Sequence, residues 1–239
     1  MKKMKKRTIL LLVTFFSILL CNAQNTKDDD LGAWYMYFFN GKFKNSSFGI
    51  QGDVQYRNFN LGGDLEQLLI RTGLTYTPKN TNVILTLGIA KITTGEIGEG
   101  ENTFNENRLY QEIALPQKIG ERFYLNHRFR YEQRFIDDQD FRTRFRYNLF
   151  LNVALNKKTI EKNTLYLALY NEIFINGESN IGNNRSVGVF DRNRFYSGLG
   201  YGLTDKLRLQ LGFMNQSVET RGKDQIQVSI HHNFWKKLN

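Results

Sequence analysis

RFYLNHRFRYEQRFIDDQDFRTRFRYNLFLNVAL, residues 122–155, decides the fold. Alternate residues from Asn126 are Asn126, Arg128, Arg130, Glu132 and Arg134, and from Arg142 they are Arg142, Arg144, Arg146 and Asn148. The opposite parity gives Leu125, His127, Phe129, Tyr131, Gln133 and Phe135, then Phe145, Tyr147, Leu149, Leu151, Val153 and Leu155. Only a period of two separates these sets, because successive side chains of a strand leave opposite faces, whereas a helical period would spread the arginines around a cylinder. The segment therefore predicts a long β-hairpin turned at Asp137, Asp138, Gln139 and Asp140, with one guanidinium and carboxamide face and one aromatic and aliphatic face. A nucleic-acid strip needs aromatics and arginines on the same accessible face, so no nucleic-acid partner is expected.

The same alternation continues on both sides. Runs at 31–40, 47–60, 65–77, 83–93, 106–115, 163–176, 190–203, 207–220 and 225–235, with the two arms of the hairpin, make 11 strand-like stretches. The first, LGAWYMYFFN, is apolar on both parities. Bacterial barrels of this type have an even number of strands, which predicts 10 or 12. The two prolines, Pro78 and Pro116, fall in expected short turns, as required where interior ladders cannot spare an N–H. Connections at 78–82, 116–121, 156–162 and 204–206 read as short, and those at 94–105, 137–140, 177–189 and 217–224 as long. That is the asymmetry of an outer-membrane barrel with its C-terminus on the periplasmic side.

The N-terminus reads as an export signal. Lys2, Lys3, Lys5, Lys6 and Arg7 precede an apolar run from Ile9 to Leu20, and Cys21 and Ala23 supply the small residues before cleavage. Residues 1–23 are expected to be a cleaved signal peptide, 24–30 a polar leader and 31–239 one β-barrel domain. Leu20 disfavours the alternative of a lipoprotein anchored at Cys21. The apolar run is shorter than the ~20 residues of a spanning helix. Five of the ten net positive charges belong to this signal. Cys21 is the one cysteine, so the exported chain has no disulfide, thiolate zinc site or cysteine nucleophile.

Alternation alone also suits a soluble periplasmic ligand-binding β protein with its apolar face inward. The polar face separates the two. It carries twelve arginines (57, 71, 108, 128, 130, 134, 142, 144, 146, 192, 194 and 208), five carboxylates (Asp53, Glu106, Glu112, Glu132, Glu172) and no lysine. A solvated face mixes lysine with arginine, whereas arginine suits enclosed charge because its planar fork pairs bidentately with carboxylates and keeps its proton. The expected fold is thus all-β: an antiparallel up-and-down transmembrane β-barrel of 10 to 12 strands, arginines inside and Leu, Phe and Tyr towards lipid.

The segments LGAWYMYF (31–38), EQLLIRTGLTY (66–76), ENRLYQE (106–112), HRFRYEQRF (127–135), YNEIFIN (170–176) and FDRNRFYSGLGYGL (190–203) resemble the envelope-protein family known as domain of unknown function 2490. The resemblance spans nearly the whole exported chain. It implies an outer-membrane β-barrel of a Gram-negative bacterium and brings no activity or catalytic residues.

The candidate functional feature is a lumen network of Arg108, Glu112, Arg128, Arg130, Glu132, Arg134, Arg142, Arg144, Arg146, Glu172, Arg192 and Arg194. It reads either as a structural plug holding strands in register or as a narrow channel or binding site for small anionic solutes. A hydrolase reading needs a nucleophile and a base, and Ser229 and His231 share a face of the last strand, with Asn233 as a carboxamide. An ordinary polar lumen strand explains the same residues, so no enzyme is expected. His231 and His232 point to opposite faces, which argues against a metal site. The glycines of SGLGYGL, 197–203, lie mid-strand rather than in a phosphate loop. No cofactor is expected. The expected partners are outer-membrane lipids, lipopolysaccharide phosphates and, during folding, the barrel-assembly machinery.

Overall fold

The computed structural model describes residues 26–27, 31–98, 102–219 and 221–234. The expected signal peptide lies outside them, as do most of the 24–30 leader and Trp235 at the end of the last run. Twelve strands follow one another in the described residues, with no helix. They are β1 (Thr26–Lys27), β2 (Gly32–Lys42), β3 (Phe48–Asn58), β4 (Leu65–Tyr76), β5 (Ile84–Gly95), β6 (Thr103–Ile119), β7 (Phe123–Ile136), β8 (Arg142–Ala154), β9 (Leu165–Asn176), β10 (Phe190–Gly202), β11 (Leu207–Ser217) and β12 (Arg221–Asn233).

From β2 onwards each strand pairs antiparallel with the next, and β12 closes the wall by pairing with β2. All 11 runs read from the sequence are wall strands, so the even count does not hold. The physical reason lies in direction: an odd number of antiparallel strands leaves the first and last pointing the same way. Their seam is accordingly parallel, from Gln225 opposite Gly32 to Asn233 opposite Asn40. β1 adds a short parallel pairing to the start of β12, with Thr26 opposite Arg221.

Three further expectations change. The connections at the two ends have similar lengths, three to ten residues at one and three to thirteen at the other, so the short and long alternation is weak. Pro116 is inside β6 opposite Asn126, because that hairpin extends past the expected turn to Gly120. Lys223 lies in β12 on the face of Gln225 and Gln227, since that strand starts four residues earlier than its alternation suggests. The turn of the opening hairpin is as read, with Asp138 in the left-handed region at φ 56.

The apolar seam strand is explained by contacts on both sides. Trp34 packs inward with Tyr166, Ala168, Tyr196, Met214, Ala154 and Ile160, while Tyr35 on the opposite parity is exposed. Ile160 belongs to the 155–164 connection, which therefore folds into the barrel end. Its backbone N–H donates to Tyr124 Oη at 3.3 Å.

The mid-strand glycines have a packing role. A Cβ on Gly200 would collide with the ring of Tyr166, its partner across the β9–β10 ladder, and one on Gly88 with the ring of Tyr110 across β5–β6. Both tyrosines are buried, and each lies flat over the bare backbone of the neighbouring strand. Gly200→Val is expected to lower unfolding stability by about 1–3 kcal/mol through overpacking. Denaturant titration of the purified protein measures it.

Candidate functional site: an arginine-lined lumen

Strand parity places the arginines. Arg57, Arg71, Arg108, Arg130, Arg134, Arg142, Arg144, Arg146 and Arg194 are buried inside the barrel, as are Asp53, Glu106, Glu112, Glu132 and Glu172. Arg128 and Arg192 are more open, with 16% and 30% side-chain exposure, and Arg208 is half-buried. Residues of the other parity face outward: Leu87, Ile89 and Leu211 are 57%, 61% and 60% exposed. Every residue expected in the lumen network is there.

Glu132 on β7 is the centre. Its oxygens lie 2.6 Å from Arg146, 2.7 Å from Arg144, 3.6 Å from Arg108 and 3.8 Å from Arg130. Around it Glu172 bridges Arg128 at 2.7 Å and Arg146 at 2.6 Å. Glu106 takes a bidentate pair from Arg108 and two further bonds from Arg134. Glu112 accepts from Arg130 Nε at 2.7 Å and, from three strands along the wall, from Gln51 Nε2 of β3 at 2.9 Å. Asp53 and Arg71 form a second bidentate pair at 2.9 and 3.0 Å. Aromatic rings carry the guanidinium faces, with Arg130 4.4 Å from Tyr110 and Arg146 4.5 Å from Phe174.

Two lumen carboxylates were not legible from alternation. Asp191 accepts from Arg144 Nη1 at 2.9 Å and from Arg192 Nη2 at 3.1 Å. Glu66 accepts from Trp34 Nε1 at 3.3 Å and Gln225 Nε2 at 3.5 Å. Each sits at a register shift, between Phe190 and Arg192 in β10 and beside the Arg57–Asn58 step of β3. A bulge admits an extra residue and re-aims its side chain, so parity read through it fails.

The arginines therefore divide. Eight have a carboxylate partner, while Arg57, Arg142, Arg194 and Arg208 have none within 4.0 Å among the described residues. The Nε atoms of Arg142 and Arg208 are buried without a hydrogen-bond partner. Twelve arginines against seven inward carboxylates leave the lumen positive.

Ser229 Oγ and His231 Nε2 are 3.0 Å apart on β12, as their shared face suggested. Both face the lumen: Ser229 is buried, and the His231 ring stacks on Phe38 at 4.8 Å. His232 points the other way, with Nδ1 2.9 Å from Tyr37 Oη. His127 is outward too, with Nδ1 2.8 Å from Tyr147 Oη. Among the described residues no three His, Cys, Asp or Glu side chains are grouped to hold a metal ion.

Glu132→Gln leaves four guanidinia short of their shared countercharge. It is expected to destabilise the barrel by about 3–5 kcal/mol, the usual penalty for breaking a buried ion pair from one side. Adding Arg144→Gln should recover part of that loss in a double-mutant cycle read by denaturant unfolding.

Residues 31–227 match the model of the family described as Protein of unknown function (DUF2490). No curated protein matches the chain.

Proposed function

The chain belongs to the DUF2490 family, and we propose that it is an outer-membrane β-barrel whose arginine–carboxylate lattice holds the wall in register and closes the lumen to free diffusion. One observation carries this reading: the buried face of a closed wall is charged while its exposed face is apolar. A soluble ligand-binding β protein has the reverse arrangement.

The exterior supports lipid contact in more detail. Ile70, Leu74, Leu87, Ile113, Leu199 and Leu211 form an exposed mid-wall band. Phe43, Phe48, Tyr76 and Phe123 flank it at one end, and Tyr56, Phe104, Phe135 and Phe141 at the other, in the manner of aromatic girdles. An outer-wall hollow of ≈ 660 Å³, lined by Leu74, Leu87, Ile113, Phe129, Phe145 and Ile173, suits acyl chains. The partners on this reading are membrane lipids and lipopolysaccharide around the wall, and the assembly machinery during insertion.

Occlusion is supported by side-chain bonds that reach inward over intervening strands, joining β3 to β6 through Gln51 and Glu112 and β9 to β12 through Tyr170 Oη and Gln227 Oε1 at 3.0 Å. The inward-folded 155–164 connection adds to it. The Ser229–His231 pair gives a hydrolase less support, because an ester in the bilayer would have to cross the wall to meet it.

Purified protein is expected to need detergent and to give no steady conductance in a planar bilayer. Replacing Glu132, Arg144 and Arg146 together by alanine should admit an ion current if the triple variant folds. A steady current through the unaltered barrel contradicts occlusion, and a protein that stays monodisperse without detergent contradicts the membrane placement.

A further inference from the structure

Two of the four arginines without a carboxylate meet at one ring. The guanidinium carbon of Arg57 is 3.8 Å from the Trp34 ring centroid, and that of Arg194 is 4.8 Å from it. The two like charges are thus no farther apart than the sum of those distances, and both residues are buried, at 5% and 7% exposure. Eight of the twelve lumen arginines, by contrast, are met by carboxylates.

Here the hydrogen-bond acceptors are neutral. Arg57 donates from Nη1 to Gln67 Oε1 at 2.7 Å and from Nε to Gln55 Oε1 at 3.1 Å, and Arg194 donates from Nε to Gln216 Oε1 at 2.8 Å. Glutamine carbonyls orient a guanidinium without cancelling its charge. Glu66, the carboxylate of this region, bonds the indole N–H instead.

A third donor is left over beside them. Gln227 pairs in register with Trp34 and is 2% exposed. Tyr170 Oη donates to its Oε1, and its Nε2 is buried with no hydrogen-bond partner. A buried donor left unsatisfied is destabilising, and an acceptor that arrives there relieves the cost.

We propose that Arg57, Arg194 and Gln227 form a binding site for a small oxyanion, the carboxylate or phosphate group of a soluble molecule. The residues face the lumen, away from lipid headgroups outside the wall. Trp34 and Arg194 lie near the starts of β2 and β10, and Arg57 and Gln216 near the ends of β3 and β11. The site therefore sits just below the barrel end that carries the 59–64, 177–189 and 218–220 connections, and the solute enters there. An occluding lattice needs no ligand, so this assignment goes beyond the proposed role.

The test uses the exported chain folded in uncharged, lipid-free detergent, with Trp235→Phe leaving Trp34 as the sole tryptophan. Inorganic phosphate and acetate are titrated at constant ionic strength, and heat-modifiable gel migration confirms folding of each variant. A saturable change in Trp34 emission with either probe is expected, weakened at least tenfold by Arg57→Gln or Arg194→Gln and retained in Arg208→Gln. Gln227→Leu, which leaves the charge unaltered, is expected to weaken it as well and serves if the arginine variants do not fold. No saturable change in the folded protein, or one indifferent to Arg194→Gln and Gln227→Leu, overturns the site. Competition by phosphatidylglycerol added to the micelles overturns the assignment to a soluble molecule. A conducting barrel in the bilayer assay would defeat occlusion and leave this titration standing, and a failed titration would leave occlusion standing.

Discussion

Charge enclosed by a closed wall is the constraint on which the rest of this structure depends. A guanidinium taken out of water loses several kcal/mol of hydration, and only close, well-oriented partners offset that loss. Glu132, with 1% side-chain exposure and four arginines within 3.8 Å, shows how one carboxylate on β7 ties β6, β7 and β8 together. Glu172 extends the same chain of contacts to β9 and Asp191 to β10. The pattern that sorts arginines inward also sends Leu, Ile and Phe outward, so the electrostatic interior and the apolar exterior have one cause.

The lumen is not uniform. Towards β6–β9 it is a dense ionic lattice with aromatic rings under the guanidinium planes. Towards the β12–β2 seam it is lined by Trp34, Tyr166, Tyr196 and Met214. Where these regions meet, Arg57 and Arg194 are held by glutamine carbonyls, and buried polar atoms remain unbonded. Carboxylate pairing suits a stabilising plug, whereas two guanidinia held at one ring by neutral carbonyls suit an anion-binding function.

Much of this was legible in the sequence, and the failures are instructive. Period-two alternation from 122 to 155 gave the hairpin, its turn and the side on which six arginines lie. The preference for arginine over lysine then indicated that this side is enclosed. Alternation failed at Asp191 and Glu66, because a bulge resets parity without marking the sequence. It was also silent on closure: eleven runs were visible, but a seam between 32–40 and 225–233 is a long-range pairing with no local signature. Lys223 was missed for a simpler reason, a strand start whose Gly222 and Asp224 read as turn residues. Pairing partners within the lattice could not be read either, since Arg128 reaches two strands along the wall to Glu172 while Arg134 stays with its neighbour.

The central claim is the orientation of the two faces, and quenching by brominated acyl chains tests it most directly. One barrel carries tryptophan only at position 211, as Leu211→Trp with Trp34→Phe and Trp235→Phe, and a second retains only Trp34. Leu211 is 60% exposed and Trp34 2% exposed. In bilayers of brominated lipid, emission from position 211 should be strongly quenched and that from Trp34 left nearly unchanged. Equal quenching of both, or quenching of Trp34 alone, would contradict an interior of arginines inside an apolar wall.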